Sequence, residues 1–273
     1  MSRAILFFAL LGFAVTAPAF AGERLPGLAP KKWLGCYIGH EGRKFEWAIR
    51  QNGVSVLYLL NRRERSTRVD KPEVRCVLEE QVDGRWVRRK SDDEDFGYSH
   101  EASTEVEEST ITFSYTGGTK VAVTYKFEDE GVTMSARIAE KTTSNPLRFG
   151  FELVIPEVWS NSGDEELRER DLRDRIEDAE IRAVRTSDGK KLRYRLWESV
   201  KLEDEEHLEG GADEISIEIA KFGRGRVVLK PGADKTPLRV LHSRALYSGF
   251  RVAWFPSPEK LGEDGSQLSI TVE

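Results

Sequence analysis

Between Leu147 and Ile155 the chain reads LRFGFELVI, which places Leu147, Phe149, Phe151, Leu153 and Ile155 at alternate positions. Successive side chains of an extended strand point to opposite faces, so these five share one face. Large apolar groups in that number need an equally apolar layer opposite, and a second packed sheet supplies one. The same alternation recurs in Val121, Val123, Tyr125 and Phe127, and again in Phe45, Trp47 and Ile49.

Short runs of this kind are separated by turn residues along most of the chain. Trp33 to Ile38 is the first run, followed by Lys44 to Arg50 and Val54 to Leu60. Asn52-Gly53 between the last two marks a tight hairpin, and Asp83-Gly84 does the same between Val74 to Val82 and Arg85 to Arg89. Thr110 to Tyr115, Val121 to Phe127, Val132 to Ile138 and Leu147 to Ile155 continue the pattern. After a gap come Ala179 to Arg185, Leu192 to Trp197, Ile215 to Ala220, Arg226 to Lys230, Leu238 to Leu241, Phe250 to Phe255 and Gln267 to Val272.

Asp92 to Glu108 and Glu203 to Glu209 are acidic, lack periodicity and read as loops. Asp164 to Asp178 is highly charged, with Leu167, Leu172, Ile176 and Ala179 in a ragged apolar stripe, and reads as one short surface helix, with a solvated loop as the rival reading. About fifteen strands joined by hairpin signals predict an all-β fold: a large two-layer antiparallel β-sandwich with at most one short helix. No repeat of fixed period points to a propeller.

The central and C-terminal parts resemble the β-supersandwich of galactose mutarotase-like proteins. The resemblance rests on VAVTYKFEDEGVTMSARI (Val121 to Ile138), LRFGFELVIP (Leu147 to Pro156), GFRVAWF (Gly249 to Phe255) and LSITVE (Leu268 to Glu273). It implies a carbohydrate-handling setting, because that fold recurs in aldose epimerases and in accessory domains of polysaccharide-degrading enzymes. The histidines and glutamate of the epimerase active site have no matching context here, so no catalytic residue is carried over.

Residues 1–21 read as a secretory signal peptide. Arg3 gives a positive start, Ala4 to Val15 an apolar core, and Ala19-Phe20-Ala21 a small-residue cleavage pattern. The apolar run falls short of the about 20 residues that a spanning helix needs, and no later run reaches that length. Cleavage after Ala21 leaves residues 22–273 as a single β-sandwich domain, secreted or periplasmic, with no membrane span.

Charged residues make up 33% of the chain and hydrophobic ones 39%, a balance that suits a charged surface around an ordinary core. The net charge of −5 with interspersed signs argues against nucleic-acid binding, which needs a concentrated basic surface. Cys36 and Cys76 both lie in strand-like runs of an oxidising compartment. A disulfide pinning two N-terminal strands is one reading, and two separate buried thiols is the other. Neither a CxxC pair nor a Cys/His cluster is present, so no metal site is expected, and no motif calls for a cofactor.

Among the four histidines, His40-Glu41, His100-Glu101 and His207 with Glu209 set an imidazole beside a carboxylate, but adjacent strand residues face opposite ways. His242 is the more informative, lying near Arg239, Arg244 and Tyr247. That mixture can hold a sugar hydroxyl or carboxylate through charge-assisted hydrogen bonds, or form ordinary surface salt bridges. Of six tryptophans, Trp47 and Trp254 alternate with apolar neighbours and read as core, whereas Trp159 follows a strand end and suits either packing at the core or its edge or stacking on a sugar face. Trp159, His242, Arg244 and Tyr247 are therefore the candidate ligand-binding residues. The expected function is carbohydrate binding. A sugar-active enzyme on the same fold, epimerase or polysaccharide lyase, is the first alternative. A structural or adhesive envelope protein is the second.

Overall fold

Strand-forming residues flanked by turn glycines build nineteen strands among the described residues of the computed structural model. These residues are 20–22, 24–61, 64–65, 71–155, 170, 173–174, 177–196, 208, 210–220, 223, 225–242, 250–263 and 265–273. In chain order the strands are β1 (Phe20–Gly22), β2 (Cys36–Glu41), β3 (Phe45–Arg50), β4 (Ser55–Asn61), β5 (Glu64–Arg65), β6 (Glu73–Val82), β7 (Arg85–Arg89), β8 (Ser91–Tyr98), β9 (Glu108–Tyr115) and β10 (Lys120–Glu128). They continue as β11 (Gly131–Glu140), β12 (Leu147–Ile155), β13 (Glu180–Arg185), β14 (Lys191–Arg195), β15 (Ala212–Glu218), β16 (Arg226–Pro231), β17 (Leu238–His242), β18 (Phe250–Trp254) and β19 (Gln267–Val272).

The pairing is antiparallel throughout the named strands and follows one curled path with two arms. The first arm runs β2–β3–β4–β6–β12–β18–β17, with β7 on the far half of β6. The second runs β14–β13–β15–β16–β19–β11–β10–β9–β8–β1. The arms join where Ala212 of β15 pairs with Leu238 of β17.

The arms then stack as two layers. Tyr115 of β9 meets Phe149 of β12 edge-on at 6.4 Å, and the hydroxyl of Tyr125 on β10 lies 3.6 Å from the Cys76 sulfur on β6. Leu147, Phe149, Phe151, Leu153 and Ile155 are all buried, as the alternation predicts. Trp47 and Trp254 are fully buried in the same core. The turn chemistry also holds: Gly53, Asp83 and Gly84 have positive φ, as tight hairpins require.

Three expectations need correction. Asp92 to Glu108 is not one loop, because its first part forms β8. Its register shifts between Ser91 and Phe96, which lifts the acidic Asp92 to Asp95 out of alternation while Phe96 stays buried against Phe113. The run from Trp33 to Ile38 is broken at Gly35, whose φ of 79° separates a 3-10 turn at Lys31–Trp33 from β2. The strand count also exceeds fifteen. Of the expected helix Asp164 to Asp178, only Arg170, Arg173, Asp174, Glu177 and Asp178 lie among the described residues, and the first three are helical. No described helix is long and apolar enough to cross a membrane.

Cys36 and Cys76 are free thiols. Cys36 sits on β2 and Cys76 on β6, with β3 and β4 between them. Three inter-strand steps of about 4.8 Å exceed the about 7 Å of Cα separation that a disulfide tolerates. Cys76 packs against the main core, and burial pushes its thiol up to about 12. Cys36 packs with Trp33 and Ala48 on the other face of the sheet, and burial raises its pKa as well.

Candidate functional site

The outward face of β6 carries Glu73, Arg75, Val77 and Glu79, because the alternate residues Val74, Cys76 and Leu78 turn inward. On β12 the matching outward residues are Arg148, Gly150, Glu152 and Val154. The register sets Arg148 opposite Glu79, Gly150 opposite Val77, and Glu152 opposite Arg75. On the other side of β12, Glu152 faces Ala253 and Val154 faces Arg251. β7 adds Arg88 opposite Glu79, and Trp86 opposite Gln81.

The long side chains tie these rows together. Arg88 Nη2 donates to Glu152 Oε1 at 2.6 Å, and Arg251 Nη1 donates to Glu152 Oε2 at 3.4 Å. Arg75 donates from Nε and Nη2 to Glu73 Oε2, and Arg50 Nη1 to Glu73 Oε1 at 3.4 Å. Arg148 bonds Glu79, and its guanidinium lies 4.4 Å from the Trp86 ring centre and 5.1 Å from that of Phe255. A guanidinium against aromatic faces is held by cation–π attraction and planar contact.

Gly150 is needed here for room. A Cβ at this position would lie 2.1 Å from the Trp254 carbonyl oxygen and 2.6 Å from the Phe255 ring. The result is a face on which the small residues Val77, Gly150 and Ala253 are buried, with guanidinium groups and the rings of Trp86 and Phe255 around them. Trp86 is 36% exposed, and the side chains of Arg75 and Arg88 are 40% and 45% exposed. Glu152 is buried, with each carboxylate oxygen engaged by a different arginine. It therefore holds the arginines in place.

Of the residues singled out in the sequence, His242 ends β17 opposite Phe250, and Phe250 is itself opposite Ile155. Trp159, Arg244 and Tyr247 lie outside the described residues. His40 and Glu41 do not meet: His40 Nε2 lies 3.0 Å from the Glu128 carbonyl, while Glu41 pairs with Lys32; His207 and Glu209 lie outside the described residues. His100 stacks on Tyr37 and contacts Ser109 Oγ at 2.9 Å. Burial is the main cause that pushes the Tyr37 phenol up to about 12. Among the described residues, no group of three His, Cys, Asp or Glu is placed to hold a metal ion.

Sequence reasoning missed Arg75, Arg88, Arg148, Glu152 and Arg251. The legible signal is Glu152, a carboxylate inside a strand whose alternate positions are all large and apolar, which demands a cationic partner. Which arginines answer it depends on pairing across 64 and 99 residues of chain.

No family model matches the sequence, and no curated protein matches it. Among solved structures, the chain is similar to a putative aldose 1-epimerase of Escherichia coli K12, with a TM-score of 0.42 and 10% identity, covering 86% of this chain and 98% of that one. The likeness concerns the arrangement of strands.

Proposed function

We propose that the protein is exported and binds carbohydrate on the outward face of β7, β6, β12 and β18. The observation that carries this reading is the side-by-side placement of an exposed indole, Trp86, and a row of guanidinium groups. A sugar presents an apolar C–H face, which suits the aromatic ring, and hydroxyl oxygens, which accept hydrogen bonds from guanidinium groups. Binding suits the site better than catalysis, because the central carboxylate, Glu152, is buried beneath its arginine partners. It also suits the surface better than apolar protein docking. The large apolar side chains exposed among the described residues are Leu34, Trp86 and Val87, too few for an extended patch. A glycan array with the purified chain tests the reading. Binding to at least one glycan class that Trp86→Ala reduces tenfold or more supports it, and no binding across neutral and acidic glycans rejects it.

A further inference from the structure

Charge on the proposed sugar face runs against the charge of the molecule. The chain carries a net charge of −5. Yet the ion-paired network of this face sets Arg50, Arg75, Arg88, Arg148 and Arg251 against Glu73, Glu79 and Glu152, an excess of two positive charges. The pairing also leaves donors over. The bonds to Glu152 and Glu73 use Nη2 of Arg88 and Nε and Nη2 of Arg75, but neither Nε and Nη1 of Arg88 nor Nη1 of Arg75. Arg251 Nε is buried without an acceptor. The remaining donors of Arg75 and Arg88 are on part-exposed side chains and suit an anionic or strongly polar acceptor.

Arg75 and Arg88 both flank Glu152. Arg88 crosses from the row of Glu79 to reach Glu152, and Glu152 is the register partner of Arg75. Both side chains are near half exposed, while Glu152 between them is buried. Resting on the carbohydrate reading, we infer that the ligand is a polysaccharide bearing carboxylates, of the uronic-acid class, and that Arg75 and Arg88 supply donors to its carboxylates. The planar carboxylate matches the guanidinium fork, and Trp86 takes the uncharged face of an adjoining sugar unit.

Titration calorimetry against four polymers separates the outcomes: polygalacturonate, its fully methyl-esterified form, dextran, and polyglutamate. The expected result is binding to polygalacturonate that weakens at least tenfold for the methyl ester and falls as salt rises. Arg75→Gln and Arg88→Gln each weaken it tenfold, and Arg193→Gln on the other arm does not. Arg75→Lys, which keeps the charge and the ion pair, serves as the folded variant if Arg75→Gln lowers stability; it too weakens binding, because it loses the fork. Equal binding of the methyl ester or of dextran overturns the carboxylate inference and leaves the carbohydrate reading standing. Equal binding of polyglutamate, or binding of no polysaccharide here or on the array, overturns both.

Discussion

Arg88 on β7 and Glu152 on β12 are joined at 2.6 Å across the whole width of β6. The carboxylate is buried and the guanidinium is not, so the two ends of this bond contribute unequally. Removing the carboxylate leaves Arg251, whose side chain is only 18% exposed, without its partner. Glu152→Ala should therefore cost about 3 kcal/mol, the scale for breaking a buried ion pair from one side. Glu94→Gln breaks the fully surface pair with Arg24 and should change stability by less than about 0.5 kcal/mol. Urea unfolding of the two variants checks the contrast, and equal effects would contradict it.

Gly150→Ala should destabilise by about 2 kcal/mol or more. The new methyl meets a backbone carbonyl at 2.1 Å, an atom that moves only with β18. The same variant pushes on Phe255 and so on Arg148, and it should weaken ligand binding in molecules that remain folded. Gly84→Ala, by contrast, would meet no atom within 4 Å; its cost comes only from a φ of 77°. Thermal melts of both report the difference.

Glu80 predicts a share of the acid sensitivity. Hydrogen bonds from Thr143 and Asn145, and then Arg89, hold its carboxyl below the usual range. A folded pKa below the unfolded value of about 4.3 means stability that is present above that value and lost as pH falls through the folded value. Glu80→Gln should flatten the loss of stability below about pH 4.3 and leave its slope unchanged at neutral pH. Melting temperatures across pH 3 to 7 read this out, taking that range as roughly bracketing carboxylate titration. An unchanged acid limb would count against it.

The thiols give a chemical check on the fold. In the unfolded chain both cysteines should take up an alkylating reagent, with the same mass under reducing and non-reducing conditions. In the native protein Cys76, with its pKa near 12, should react far more slowly than a free thiol. Rapid native labelling of Cys76, or a bridged mass, would contradict the placement of the two cysteines on strands that are not neighbours.

Export makes a prediction at β1. This strand pairs Phe20, Ala21 and Gly22 with Tyr98, Gly97 and Phe96. Cleavage after Ala21 would leave Gly22 alone on that edge. The intact mass of protein recovered outside the cytoplasm should correspond to a chain beginning at Gly22. A mass that includes residues 1–21 would reject the leader.

Alternation carried the architecture because burial on one face writes itself into every second residue, as in β10 and β12. It failed at β8, where a bulge excuses four acidic residues from the pattern. The site was harder to read for a related reason. Its residues are the polar half of strands whose apolar half drew attention, and Arg75, Arg88, Glu152 and Arg251 come together only once β7, β6, β12 and β18 are set side by side. Local neighbours such as His40 and Glu41 are visible in sequence, yet the strand sends them apart.

β19, built from Gln267–Val272, lies between β11 and β16 and hydrogen-bonds to both. It is the last strand of the sequence, yet it fills an inner position of its arm. A ribosome that has not reached Gln267 has made two strands with open flanks and nothing to set between them. β11 and β16 therefore cannot be bridged until Gln267–Val272 has been made, and closing this arm waits on that one segment.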